Sequence, residues 1–311
     1  LLVPFAGRPP GGQPAAVRGL QLPNLQRLLA RLEADAGETG SARDLSLPHE
    51  RVLARAYGLE PVDGLIPLAA WQAQQDGGSP GTEGCAWITP CHWRVGRDHI
   101  EMANPQELQL DGDDSRALLA AMEPYFSEDG ITLSYQGPLR WLARGELFRA
   151  LPTASLDRVT GRTIDGWMPG GAAGRPLRRL QQEMQMLLYT LPLNDARQRG
   201  GLLPVNSFWA SGSGALPAGY APPASTGLRL SPYLREAALL ADRAGWQAAW
   251  QQLDARECPQ LLQELDAGRS VRLTLCGEAN ARSWASGAAS VWKRVSALFA
   301  RPSPAALLEA L

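Results

Sequence analysis

Histidine is scarce in this chain and confined to its first third: His49, His92 and His99 are the only three in 311 residues. The rest of the sequence therefore has no imidazole for acid–base work or metal binding. Lysine is scarcer still, Lys293 standing alone among basic residues that are otherwise all arginine. Cysteine is limited to Cys85, Cys91, Cys258 and Cys276, which are far apart or wrongly spaced for a zinc knuckle. Cys85 and Cys91 could meet in space, but reduced thiols in a cytoplasmic protein are the simpler expectation. No run approaches the roughly 18 apolar residues of a membrane span. Leu1-Leu2-Val3-Pro4-Phe5 is too short and uncharged for a signal peptide, and is expected to be a first strand. A net charge of −1 gives no general attraction to nucleic acid or to an anionic membrane.

What is present describes an ordinary globular chain, 45% hydrophobic and 20% charged. Its length allows one large α/β domain or a core with an inserted second domain. After the first strand and a Gly/Pro loop over 7–14, leucines 25, 28, 29 and 32 mark one face of a helix beginning at Leu22-Pro23-Asn24. Residues 35–46 are expected to be loop, and a helix follows from Pro48 to Tyr57 with Gly58 to cap it. The polar, Gly-rich stretch from Trp71 to Glu83 suggests a domain crossing.

From Cys85 short apolar segments alternate with turns: 86–89, 93–95, 99–102, 131–135 and 139–142, with a helix over 115–126 and a strong one over 177–189. This middle region is expected to be α+β with antiparallel strands. Helices at 233–241, 246–253 and 261–265, a buried strand at 271–275 and an amphipathic segment at 291–300 complete the pattern. Strands at both ends separated by helices suggest a parallel core.

The most informative stretch runs Leu191-Pro192-Leu193-Asn194-Asp195-Ala196-Arg197, then Leu203-Pro204-Val205-Asn206-Ser207-Phe208-Trp209 and Gly212-Ser213-Gly214. It reads as a helix end, a proline turn, a short strand and a glycine loop. It resembles the archaeal-type cofactor-independent phosphoglycerate mutases, which carry a similar Pro-x-Asn-x-x-Arg, Gly-x-x-Pro-x-Asn, Trp-x-x-Gly-x-Gly sequence. Pro23-Asn24-Leu25-Gln26-Arg27-Leu28 and Gly58-Leu59-Glu60-Pro61 resemble further stretches of that family in the same order. A narrower resemblance, to bacterial RpfE-type regulatory proteins, is carried by Thr89-Pro90-Cys91-His92-Trp93, Asp98-His99-Ile100 and Leu273-Thr274-Leu275-Cys276-Gly277-Glu278.

The resemblance implies an alkaline-phosphatase-like α/β fold: a mostly parallel sheet core flanked by helices from 1–84 and 191–311, with an inserted α+β domain over 85–190. Active members use two divalent metals, held by Asp and His, to activate a serine. Here the first strand is followed by Pro4-Phe5-Ala6-Gly7 in place of Asp-Gly, and the late one by Cys276-Gly277-Glu278-Ala279 in place of Asp-His. The nucleophile position, counted back from Gly58, falls near His49. The implied protein is a non-catalytic relative, regulatory or ligand-binding, with no cofactor and no metal.

Several side chains compete for a functional role. His92 and His99 flank Arg94, Arg97 and Asp98 in a polar cluster suited to acid–base work or anion binding, or merely to hydrogen bonding within a turn-rich sheet. A zinc set from His92, His99 and Cys85 or Cys91 matches no standard spacing. His49 is either a phosphohistidine candidate or a first-turn residue beside free backbone N–H groups. Asn194, Arg197 and Asn206 either hold an anionic ligand at a strand end or tie the loop to backbone. Ser211-Gly212-Ser213-Gly214 has the glycines of a phosphate cradle without its lysine. Asp157, Arg158 and Arg162 belong to an expected polar loop, paired, lining an interdomain cleft, or solvated.

Two function classes stay open: a binding or regulatory protein, and a metal-independent enzyme using His49 or the His92/His99 pair on a phosphorylated or carboxylated small molecule. The partners in view are a small anionic ligand and a protein, the latter on a Trp-rich helix where Trp246 and Trp250 share a face with Leu253.

Overall fold

The computed structural model describes residues 1–7, 17, 19–287 and 304–311. The expected amphipathic segment at 291–300, and most of the 7–14 loop, lie outside the described residues. In chain order the strands are β1 (Leu2–Val3), β2 (Glu33–Glu38), β3 (Cys85–Cys91), β4 (Trp93–Val95), β5 (Ile100–Met102), β6 (Thr132–Gly137), β7 (Arg140–Arg144), β8 (Ser207–Gly214), β9 (Arg272–Cys276) and β10 (Ala281–Ala285). The helices are α1 (Pro23–Leu29), α2 (Pro48–Ala56), α3 (Leu68–Gln75), α4 (Gly112–Glu128), α5 (Leu156–Val159), α6 (Arg175–Tyr189), α7 (Pro192–Arg199), α8 (Arg235–Leu239), α9 (Arg243–Asp266) and α10 (Pro304–Glu309). The chain is thus a mixed α/β protein with several sheets. It divides into two compact units, 1–43 with 225–311, and 44–224. These boundaries differ from the 84/85 and 190/191 junctions that the family resemblance implies. The polar, Gly-bearing stretch from Trp71 to Glu83 begins as the last turn of helix α3 and lies inside the second unit.

The first unit holds a four-stranded sheet in the order β1-β9-β10-β2. Only β1 and β9 run parallel, Leu2 opposite Thr274 and Val3 opposite Leu275, whereas β10 is antiparallel to both of its neighbours. The sheet is therefore not mostly parallel. The reason is local: Gly277 N–H donates to Asn280 O at 2.8 Å, a turn too tight for anything but a hairpin between β9 and β10. The expected loop over 35–46 begins as strand β2, whose sequence Glu-Ala-Asp-Ala-Gly-Glu is exposed along nearly its whole length. Such a charged edge deters further pairing. On the sheet pack α1 and α9, burying Leu25, Leu28, Trp246, Trp250 and Leu253. Asp254, 4% exposed, reaches from α9 to the start of α1, where its carboxylate accepts the Leu25 N–H at 2.6 Å and the Asn24 N–H at 3.3 Å. It satisfies the open N–H groups that Leu22, at the N-cap, cannot.

The second unit is built on an antiparallel sheet in the order β6-β7-β3-β8, with β4 and β5 forming a separate two-stranded ribbon. One apolar cluster joins Leu118, Met122 and Phe126 of α4 and Leu180, Met184 and Leu188 of α6 to Ile88, Trp141 and Phe208 of the sheet. A second gathers Ala54 of α2 and Ala69, Ala70 and Ala73 of α3 against Leu142 of β7. Pro90 lies in β3 beyond the last residue paired to β7, so its missing N–H costs no ladder bond on that side.

Three local expectations change. Ser211 to Gly214 is not a loop but the end of β8. Gly212, at φ +62°, leaves room for the Trp87 ring, which a Cβ would approach to 2.8 Å. Ser213 is buried and its Oγ donates to backbone carbonyls, Leu151 O lying at 2.6 Å. These residues shape a bulged strand rather than a phosphate cradle. Asp157 and Arg158 are buried in α5, not part of a solvated loop. Cys85 and Cys91 stand at opposite ends of β3, about 20 Å apart at strand rise, so the two thiols cannot meet; all four cysteines are buried and none forms a disulfide among the described residues.

Candidate functional site

In the second unit a cleft of about 750 Å³ opens between the β4–β5 ribbon, the end of α6 and the start of α7. Its lining combines His92, Trp93, Val95 and Ile100 from the ribbon side with Gln185, Leu188, Tyr189 and Thr190 from α6 and the residue after it. Asn194, Asp195 and Gln198 of α7 and Pro204 and Asn206 of the following turn complete it. That volume suits a small molecule.

The turn after α7 is held by its polar side chains. Asn194 is 4% exposed; its amide donates to Leu188 O and Val205 O, both at 2.7 Å, and accepts the Val205 N–H at 2.9 Å. Arg197, 3% exposed, pairs with Asp114 at 2.8 Å and donates to the carbonyls of Leu203 and Leu108. Asn206 Oδ1 accepts the Trp93 N–H at 2.7 Å while its Nδ2 donates to Trp93 O at 2.9 Å. Each of these three side chains makes bonds to backbone; Arg197 is not part of the cleft lining, and the two asparagines form the wall that positions α7 and β4.

His92 Nδ1 lies 2.9 Å from Pro204 O. A carbonyl oxygen only accepts, so Nδ1 carries the proton and Nε2 is the acceptor in the neutral ring. Asp195 is the sole carboxylate of the lining, and neither Lys nor Arg contributes to it. The cleft can thus offer hydrogen bonds and apolar faces, but no fixed positive charge for an anion.

The remaining candidates are elsewhere. Arg94 pairs with Glu101 at 3.4 Å and with Glu107. His99 Nδ1 is 2.8 Å from Asp98 at the exposed turn of the ribbon. That hydrogen bond raises the His99 pKa and lowers that of Asp98. Neither belongs to the cleft lining, so His92 and His99 do not converge there. His49 is buried, 8% exposed, in the first turn of α2. Beside it Glu50 folds back to accept the Leu47 N–H at 2.7 Å. Removal of its carboxyl from water raises its pKa to about 7, against the bonds from Leu47 and Ser155. Among the described residues no group of three or more His, Cys, Asp or Glu could hold a metal ion.

The positions where the family resemblance places metal ligands do come together. β1 and β9 are parallel neighbours, and Ala6 N–H donates to Cys276 O at 2.7 Å. Gly7 and Gly277, in the segments that follow these strands, are covered by Leu311: a Cβ on Gly277 would lie 2.4 Å from Leu311 O, and one on Gly7 3.1 Å from Leu311 Cβ. Sequence reasoning missed Trp93, Val95, Tyr189 and Gln198 as cleft residues. The exposed aromatic Tyr189 at the end of an otherwise regular amphipathic helix was the one available signal.

No family model matches the chain, and no curated protein matches it. Among solved structures it is similar to the PH0037 protein from Pyrococcus horikoshii, with a TM-score of 0.48 and 10% identity over 92% of this chain and 86% of that one. It is also similar to a cofactor-independent phosphoglycerate mutase from Thermoplasma acidophilum, with a TM-score of 0.39 and 12% identity over 91% of this chain and 88% of that one. At these values neither likeness assigns an activity; the chain is a mixed α/β protein with a distant structural similarity to a phosphoglycerate mutase.

Proposed function

We propose that this protein is a non-catalytic, phosphoglycerate-mutase-like protein of regulatory type that binds a small ligand in the cleft between the β4–β5 ribbon and α7. The observation that carries the reading is the job done by the stretch most like the mutases. Asn194, Arg197 and Asn206 bond to backbone, the two asparagines building one wall of a cleft, and among the described residues no group of three or more His, Cys, Asp or Glu could hold a metal ion. Two-metal phosphoryl transfer needs a clamp of Asp and His on both oxygens. The chain has three histidines, all before residue 100, and at the ends of β1 and β9 the space is taken by Leu311.

The alternative, a metal-independent enzyme, would have to work through His92 alone in this cleft, since His49 is buried elsewhere and His99 is not part of the lining. The decisive experiment is a phosphoglycerate mutase assay of the purified protein with added manganese, alongside elemental analysis. Neither turnover nor stoichiometric metal is expected. Turnover with two bound metals would overturn the proposal and restore a catalytic role.

A further inference from the structure

One side of the cleft owes its chemistry to backbone. In the β4–β5 ladder Gly96 N–H donates to His99 O at 2.9 Å and Ala103 N–H to His92 O at 3.0 Å. Residues 92, 94 and 96 therefore direct their backbone groups at β5. The alternation of an antiparallel pair sends those of Trp93 and Val95 the other way, toward the cleft. At Trp93 both groups are met by the single amide of Asn206, at 2.7 and 2.9 Å. At Val95, the next rung, no hydrogen bond reaches the backbone among the described residues, and the residue is 82% exposed. The far side of β5 is closed, Met102 N–H donating to Arg162 O and Ile164 N–H to Ile100 O.

We propose that the Val95 rung anchors the ligand, and that the ligand is a small neutral molecule presenting an N–H and a C=O along one edge of a planar body, as a lactam, an imide or a pyrimidine-like ring does. The inference rests on the reading of this cleft as the binding site. Asn206 is the internal precedent, since it already places an amide on the adjacent rung of the same strand edge. The opening is one rung long, with Asn206 before it and the 96–99 turn after it, so it fits one amide and not an extended peptide. Trp93, Ile100, Leu188 and Tyr189 supply apolar and aromatic faces for a flat ring. A carboxylate or phosphate would meet no Lys or Arg on the lining and would face Asp195.

The test is titration of ¹⁵N-labelled protein with 2-pyridone, N-methyl-2-pyridone and inorganic phosphate, followed by amide shifts. 2-Pyridone is expected to shift the Val95 amide. The N-methyl compound, which keeps the ring and carbonyl but lacks the N–H, is expected to bind at least about tenfold more weakly. Val95→Pro removes the outward N–H while leaving the bonds to β5, and should lose 2-pyridone binding; Val95→Ala should retain it. Equal binding of the two pyridones, binding that survives in Val95→Pro, or a Val95 amide unmoved by millimolar 2-pyridone would each overturn the proposal. Phosphate shifting His92 and Asn206 would overturn it while keeping the cleft as the binding site, whereas no cleft residue responding to any probe would count against both.

Discussion

Glu50 shows how burial, helped by a neighbouring carboxylate, can tie a side chain to pH. Its carboxyl, half covered by the first turn of α2 and facing Asp157 and Arg158, has a pKa raised from 4.5 to about 7. A raised carboxyl pKa means that the folded state holds the proton more tightly than the unfolded chain. This group's contribution is therefore most favourable below about pH 4.5 and declines as pH climbs to about 7. Glu50→Gln keeps an acceptor for the Leu47 N–H and stays neutral. Urea unfolding should find the variant equal to the parent near pH 4.5 and more stable above pH 7, by up to about 3 kcal/mol. A difference that does not change with pH would refute the assignment. His49, the neighbouring residue, was visible in the sequence as an oddity, but its burial in the same turn was not.

At the scale of elements, legibility followed amphipathicity. α6 could be placed from its apolar stripe of Leu177, Leu180, Met184 and Leu188, and β3 from its dense apolar run. β2 escaped because every residue from Glu33 to Ala36 faces water, so no alternation marks it. α3 escaped because Leu-Ala-Ala-Trp-Gln-Ala-Gln-Gln is small and polar and buries its alanines rather than a stripe of large residues. The separate helices expected at 246–253 and 261–265 are one helix, α9, which carries Pro259 within its 24 residues; a proline forbids one hydrogen bond but not continuation when packing holds both sides. The cleft was legible only in part: Asn194 and Asn206 stood out as fixed polar residues. What they bond to is backbone brought from as far as 113 positions away, and backbone directions leave no trace in residue identity. β8 offers a check on the glycine reading. Gly212→Ala would press a Cβ against Trp87 and strain a φ of +62°, so a loss of about 1–3 kcal/mol in unfolding stability is expected. A neutral substitution would mean that the bulge is not held as described.

For the molecule as a whole the thiols are a sensitive measure of packing. Cys85, Cys91, Cys258 and Cys276 are all buried and none is in a disulfide among the described residues. Desolvation pushes the Cys85 thiol up to about 11 and raises Cys91 and Cys258 as well. Thiolates are the reactive form, so a chromogenic disulfide reagent at pH 8 should find little thiol in the native protein and all four after unfolding in guanidinium, under reducing-agent-free conditions. Rapid native reaction at one cysteine would reveal local opening of its unit.

The contact of Leu311 with Gly7 and Gly277 limits what these positions can accept. Any side chain at 277 would begin 2.4 Å from a backbone oxygen, so a carboxylate or imidazole cannot be placed just after β9 by a single exchange. The 304–311 segment would first have to leave, and with it Leu308, which is wholly buried in the core of its unit. Placing a metal ligand at this position would thus cost stability before any metal could be held. Packing that fills such a space closes it to new chemistry.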